Sequence, residues 1–411
     1  MEGIGDFSEG ERRRATVQAN GNETIFTMEA TPLKYGPGAA EEVGWEVRRM
    51  GVSRVMLVSD PGVVAAGITP RIQELIEGEG VEVEVWDKAR VEPTGDSLQA
   101  AADFASGGEF DGFVAVGGGK KPPSPLKPLL AVPTTAGTGA EATTVAILDI
   151  PDQRVKTGIS HAYLRPDRGV VDPMLTVTMP SEVTSSCGLD VVCHAAESYL
   201  SRPYDARPKP ESPDDRPPYQ GANPVADIWS AKALEYGGQY LRRAVENGED
   251  IEARGAMMLG ASLAGIGFGS AGVHIPHACA YPIAGLKHEY QPPGYPKDHP
   301  FVPHGWSVIV TAPAAFRFTY PSDPDRHRHV AELLSGERIG RADENTLPDV
   351  IIELMRDIGA PRGVRELGYD EDDIDELVEG AMKQQRLLVG APREVTEEDL
   401  AHIIRESMEN W

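Results

Sequence analysis

The chain has 411 residues, 40% of them hydrophobic, and a formal net charge of −25 at pH 7. That length accommodates two domains with a large core, and no apolar run is long enough to span a membrane. So negative a chain, with a pI near 4.8, repels phosphate, which excludes nucleic acid as an expected partner.

In chain order, RVMLVSD (54–60) reads as a short buried strand ending in the turn Asp60-Pro61-Gly62. ITPRIQELIEGEG (68–80) follows with helical periodicity, and VEVEVWD (81–87) alternates like a strand. SLQAAADFASGG (97–108) reads as a helix closed by glycine, DGFVAVGGGK (111–120) as a strand running into glycines, and PLLAVPTTAGTG (128–139) repeats that theme. These elements predict an α/β layer with a mainly parallel sheet whose strand ends feed phosphate-friendly loops. From Pro180 the strand signal stops. Helical patterns are expected over 181–200, 224–246, 250–269, 305–318, 327–335, 347–359, 371–388 and 396–409. The expected domains are therefore a dinucleotide-binding α/β unit, 1–180, and an all-helical metal-binding unit, 181–411. The polar, proline-rich stretch Arg202–Asn223 is either a solvated excursion or a cover over a site.

Asp190 and His194 stand four apart in a helical run, so both project from one face about one turn apart. His277 in GVHIPHACAYP and His304 in VPHGWSV complete a set of one carboxylate and three imidazoles. That donor set suits Fe²⁺, Zn²⁺, Co²⁺ or Ni²⁺, with positions left for a substrate oxygen. The alternative is that some are ordinary hydrogen-bonded helix histidines. His274, His288, His299, His327 and His329 are lesser candidates, the last two read as exposed residues at a helix start. In the α/β half, Thr134, Thr135 and Thr138 of the TTAGTG loop offer hydroxyls and backbone donors at a strand end. Asp60 is placed to accept ribose hydroxyls, with a turn-forming Asp-Pro as the alternative reading.

Cys187, Cys193 and Cys279 form an odd set with no disulfide framework, which points to a reducing, cytoplasmic compartment. Cys193 adjoins His194 but points about 100° away on a helix, so it is expected to be a packed thiol. The first twenty residues mix Glu, Asp and Arg with no apolar core and resemble neither a signal nor a transit peptide. Arginine outnumbers lysine and the acids are spread along the chain. That is the pattern of a halophile-like surface, in which salt screens self-repulsion, or of an ordinary acidic cytosolic protein.

The segments AVPTTAGTGAEAT, KTGIS, RGVVDP, GLDVVCHAAESYLSRPY, RPPYQGANP, AGIGFGSAGVHIPHACAYPIAGL and DHPFVPHGWSVIVTAP resemble the iron-containing alcohol dehydrogenase family. Within it they most resemble the hydroxyacid–oxoacid transhydrogenase branch. The resemblance implies the dehydroquinate-synthase-like fold and Asp190, His194, His277 and His304 as ligands to Fe²⁺, Zn²⁺ or another divalent metal. It also implies NAD(P) as a tightly bound cofactor, with Lys156 among the residues that contact it. Many members carry a second histidine four residues after the third ligand; here Tyr281 stands there, as in the transhydrogenase branch, and is a candidate to relay a proton or orient a carboxylate. The implied reaction oxidises 4-hydroxybutyrate to succinic semialdehyde and reduces 2-oxoglutarate to 2-hydroxyglutarate. Arg202, Arg207, Lys209 and Arg216 are candidates to bind the substrate carboxylates, with Arg216 assigned to the catalytic site. Small hydroxy acids, oxo acids or alcohols are the expected partners, and a homodimer is compatible with the resemblance.

One motif departs from the family. Gly117-Gly118-Gly119 is expected to open into a pyrophosphate-binding helix through Gly-Gly-Gly-Ser-x-x-Asp-x-x-Lys. Instead Lys120-Lys121-Pro122-Pro123-Ser124-Pro125 follows. Proline removes donors and breaks helices, so the chain reads as two halves joined across a deletion, and weak NAD(P) binding is expected. Three alternatives to a transhydrogenase follow: an NAD(P)-dependent alcohol dehydrogenase, a metal-dependent lyase of the dehydroquinate-synthase type, and a metal-binding, catalytically impaired protein.

Overall fold

Short runs of branched and aliphatic residues become strands covered on both faces. In Arg54–Val58 the successive residues Val55, Met56 and Leu57 are all buried, which requires packing above and below the sheet. The computed structural model describes residues 22–23, 29–116, 127–150, 155–212, 215–287, 289–297 and 299–411. Among them a six-stranded sheet is built from β1 (Leu33–Tyr35), β2 (Arg54–Val58), β3 (Glu82–Trp86), β4 (Gly112–Ala115), β5 (Leu129–Ala131) and β8 (Arg168–Val171), in the order β1-β8-β5-β4-β2-β3. Every pairing in it is parallel. The helix Ile68–Gly78 presents Ile72 and Ile76, four apart, to the core under this sheet.

The chain runs from β2 outward to β3, then returns to place β4 on the other side of β2. The strand order reverses there, and the crevice beyond the carboxyl ends of β2 and β4 is where doubly wound sheets take nucleotides. Asp60 follows β2 at this crevice. The glycine run 117–119 and residues 120–121 lie outside the described residues.

The remaining strands, β6 (Val145–Ile150) and β7 (Val155–Ser160), form an antiparallel pair with Val145 opposite Ser160. This hairpin, absent from the sequence reading, stands apart from the main sheet and packs β7 on the helix Ile275–Gly285.

After β8 ends at Val171 the chain is helical. Ser181–Leu200 is surrounded by Pro224–Glu246, Ile251–Ala271 and His304–Ile309, so nearly every residue from Thr184 to Leu200 is buried. Pro224–Glu246 starts where expected because Asn223 Oδ1 accepts the N–H groups of Val225 and Ala226 while Pro224 supplies the fixed first turn. Two expected helices are broken. The 305–318 pattern divides into His304–Ile309 and Ala312–Thr319, and 371–388 into Ile374–Met382 and Gln385–Leu388. Among the described residues no single helix is long and apolar enough to cross a membrane.

Candidate metal centre

Local structure accounts for how the four sequence-predicted ligands approach one another. Asp190 and His194 share a face of Ser181–Leu200. His277 lies in the first turn of Ile275–Gly285, and His304 opens the helix that follows Pro303. That last helix abuts Ser181–Leu200 closely: a Cβ on Gly305 would lie 1.8 Å from the Ser186 carbonyl oxygen. Only glycine admits this contact, and the contact holds His304 over Asp190.

Three imidazole nitrogens converge on one carboxylate oxygen. Nε2 of His277, His194 and His304 lie 3.5, 3.7 and 3.8 Å from Asp190 Oδ1. These separations are too long for hydrogen bonds, and Asp190 Oδ1 and His277 Nε2 are buried with no hydrogen-bond partner. Ligand atoms arranged tetrahedrally at roughly 2.1 Å from a metal stand about 3.4 Å apart. The buried, unsatisfied donor set therefore fits a divalent ion. The group whose ligand atoms all lie within 4.8 Å of one another comprises Asp190, His277 and His304. His194 flanks it, stacked between Phe268 and His277 at ring separations of 4.1 and 4.6 Å.

The electrostatics favour the deprotonated forms of Asp190, His194 and His304. Burial alone would raise the Asp190 carboxyl, yet the surrounding imidazoles of His194, His304 and His277 hold it below the ordinary range. Burial pushes His194 down to about 3 and His304 to about 4, so both are neutral with lone pairs available. His277 differs: burial opposes its charge, but the carboxylates of Glu197 and Asp190 raise it to about 9. Glu197 Oε1 lies 2.5 Å from His277 Nδ1, and Oε2 accepts the backbone N–H groups of His274 and His277. A fully buried carboxylate on Nδ1 fixes the ring and its tautomer, leaving Nε2 for the metal. Glu197 was missed in the sequence, although Asp190, His194 and Glu197 follow i, i+4, i+7 spacing on one helix face.

Tyr281 lies one turn beyond His277, buried, with its ring 6.4 Å from that of His304. Burial raises its phenol, and Arg386 Nη2 donates to its oxygen at 2.8 Å. Lys156, from β7, is buried and ion-paired with Glu92. Burial would raise the Glu92 carboxyl, but Lys156 and His304, whose backbone N–H it accepts, pull it down. Glu92 and Lys156 thus bring the α/β half against the ligand cluster. Nothing local in the sequence marked Glu92.

The other predicted residues have varied surroundings. Asp60 Oδ1 accepts from Gly62 and Val63 N–H as the N-cap of Pro61–Ala65. Thr138 is exposed and accepts the Ala140 N–H, Thr135 bonds the Cys187 thiol, and Thr134 is half-buried. Arg216 Nε donates to the fully buried Glu23, whose carboxylate also pairs with Arg207. Arg202 donates to the Ala206 carbonyl, and Lys209 is exposed. Cys193 is buried. Of the lesser histidines, His327 corrects the expectation of exposure: it is buried, with Nε2 bonded to Thr319 and Nδ1 near the Asp323 carbonyl. His288 lies outside the described residues.

Two family profiles match the chain. That of the iron-containing alcohol dehydrogenases covers residues 30–121 and 119–173. That of the C-terminal part of Fe-containing alcohol dehydrogenases covers 219–408. The chain belongs to the iron-containing alcohol dehydrogenase family, and it is an oxidoreductase. Among its relatives, the mitochondrial hydroxyacid-oxoacid transhydrogenase of Rattus norvegicus is 41% identical over 93% of this chain and 90% of its own length. The Homo sapiens protein of the same name is 40% identical over the same shares. Among solved structures, a 1,3-propanediol oxidoreductase is 26% identical, with a TM-score of 0.81 over 93% of this chain and 100% of its own. A sulfoacetaldehyde reductase from Bifidobacterium kashiwanohense, solved with NAD+, shares the fold at 24% identity and TM-score 0.76, over 94% of this chain and 99% of its own. The N-terminal profile matches in two pieces meeting at 119–121, where the glycine run passes into lysines and prolines. The rat alignment runs over 418 positions while covering 93% of this chain, so the relative carries residues with no counterpart here.

Proposed function

We propose that the chain is a metal-dependent hydroxyacid–oxoacid transhydrogenase. The hydroxy acid, 4-hydroxybutyrate or a close analogue, loses a hydride and a proton to become the semialdehyde. The oxo acid, such as 2-oxoglutarate, gains both, so no reduced nicotinamide accumulates. The observation that carries this reading is 41% identity with a transhydrogenase across 93% of the chain. The Asp190, His277 and His304 cluster is consistent with it.

A divalent ion held by Asp190, His277 and His304, with His194 as the fourth ligand, supplies Lewis acidity toward a substrate oxygen, and a nicotinamide supplies hydride exchange. The protein's own groups do the rest. Glu197 keeps His277 Nδ1 engaged and its Nε2 directed at the cluster. Phe268 stacks on His194 and keeps water from that side. The Tyr281 phenol, kept protonated by burial, stands beside His304 as a hydrogen-bond donor to a substrate oxygen or a proton source. The crevice beyond β2 and β4, with the Thr134–Thr138 loop beside it, is the place for the nicotinamide cofactor, and Lys156 reaches toward the cluster from β7.

The test supplies metal-loaded protein with 4-hydroxybutyrate, 2-oxoglutarate and substoichiometric NAD+. The expected products are 2-hydroxyglutarate and succinic semialdehyde in equal amounts, over many turnovers per nicotinamide. NADH accumulating from the hydroxy acid alone, with no need for the oxo acid, would instead establish an NAD(P)-dependent alcohol dehydrogenase, which the likeness to 1,3-propanediol oxidoreductase favours. Full metal content with no turnover would establish the impaired protein, which the break at 119–121 favours.

A further inference from the structure

Among the described residues, one largely buried cation near the ligand cluster pairs with no carboxylate. Arg386 lies in the short helix Gln385–Leu388. Its Nη2 donates to Tyr281 at 2.8 Å, it also bonds the Tyr219 phenol, and the guanidinium carbon lies 5.8 and 6.0 Å from the two ring centroids. On its other side stands Gly158 of β7, where a Cβ would come within 2.5 Å of Nη2. The bare glycine leaves the guanidinium its room.

The other sheltered arginines are satisfied differently. Arg326 forms a two-pronged pair with Asp227 and also bonds the Tyr199 carbonyl. Arg207 and Arg216 share Glu23. Arg254 likewise pairs with no carboxylate among the described residues, but its Nε, Nη1 and Nη2 are spent on the Gly248 carbonyl, the Thr184 hydroxyl and the Met179 carbonyl. Among the described residues, Arg386 alone of this group has only neutral phenols for partners. A sheltered charge without a counter-charge is costly, and a guanidinium carries five N–H donors, more than two phenol oxygens occupy. Its remaining donors suit a planar, two-oxygen anion. Tyr281 is a neighbour of both Arg386 and the metal ligands: its phenol accepts from Arg386 Nη2 and its ring centroid lies 6.4 Å from that of His304.

We propose that Arg386, held by Tyr281 and Tyr219, recognises the carboxylate of the substrate while the hydroxyl end of the same molecule lies at the metal cluster. This rests on the hydroxy-acid reading and assigns the specificity to a residue far in sequence from the polar stretch 202–223. Tyr281 then acts on both ends of the site, as a phenol beside His304 and as a support for the arginine.

The test is calorimetric binding of 4-hydroxybutyrate to the metal-loaded chain, compared with butan-1-ol, for the unaltered protein, Arg386→Gln and Arg386→Lys. Losing a charge-assisted pair should weaken the hydroxy acid by roughly tenfold or more in Arg386→Gln, with a far smaller change for the alcohol. Arg386→Lys, which keeps the charge without the planar fork, should fall between them. Metal content confirms that each variant keeps its fold; if Arg386→Gln loses metal, the lysine variant alone decides, by a weaker hydroxy acid at full metal content. Unaltered protein that binds hydroxy acid no better than alcohol would overturn the hydroxy-acid reading itself. A clear preference that survives in both variants would overturn only the role of Arg386.

Discussion

The helical half and the α/β half present candidate sites of different kinds. In the helical half, binding rests on side chains: Asp190, His194, His277 and His304 converge from three buried helices, with Glu197 fixing one ring. In an α/β half of this kind a nucleotide is held by backbone N–H groups and loop shape at strand ends, and two of the predicted side chains already have partners. Asp60 caps its own helix and Lys156 is paired with Glu92. A site made of side chains needs only a few correctly spaced residues. A site made of backbone needs the whole loop, and the family match divides at 119–121 where that loop belongs.

The largest effect expected from this difference concerns the nicotinamide. Inserting a Gly-Gly-Gly-Ser-x-x-Asp helix between Gly119 and Lys120 should tighten NADH binding by about two decades or more, since two charge-assisted hydrogen bonds contribute roughly 1.5–3 kcal/mol each. Metal content should stay the same. Titration by nicotinamide fluorescence reads the result, and tight binding by the unaltered chain would show that the Thr134–Thr138 loop and Asp60 suffice.

Next in size is Glu197→Gln. Losing the carboxylate behind His277 should lower metal affinity roughly 10–100-fold while the helices stay folded. Competition with a chelator measures this, and an unchanged affinity would remove Glu197 from the preorganisation of the site.

The smallest effect lies at the seam between the halves. Burial raises the Glu141 carboxyl, to which Ser262 Oγ donates at 2.5 Å. A carboxyl whose folded pKa lies above its unfolded value contributes stability that is fully present below the unfolded pKa and lost as pH rises through the folded one. Glu141→Gln should therefore match the parent below the ordinary value of 4.5 and exceed it by a growing margin of Tm as pH rises. A margin independent of pH would mean that Glu141 does not titrate in the seam.

The metal ligands were legible because identity and spacing define them: a four-residue interval on a helix is a geometric statement. Glu197 obeys the same spacing rule, but a carboxylate on a helix is most often a solvated charge, so its role shows only once His277 of another helix packs against it. Arg207 and Arg216 looked like carriers of substrate charge, but their partner Glu23 lies near the start of the chain, and no local pattern announces a tertiary ion pair. Arg386 is the converse, a cation with no carboxylate partner among the described residues, visible only once Tyr219, Tyr281 and Gly158 surround it. The main sheet was legible from RVMLV and VEVEVW, whereas the β6–β7 hairpin was not, because its pairing serves contact with the helical half.

The most direct measurement is the metal content of the chain after chelation and anaerobic reloading with Fe²⁺ or Zn²⁺, by atomic emission, for the unaltered protein and His277→Ala. The unaltered chain should hold about one ion, independent of any added nicotinamide, and the variant should hold none. An unaltered chain that takes up no ion, or a His277→Ala chain that keeps its full complement, would contradict the assignment of the cluster as a metal centre.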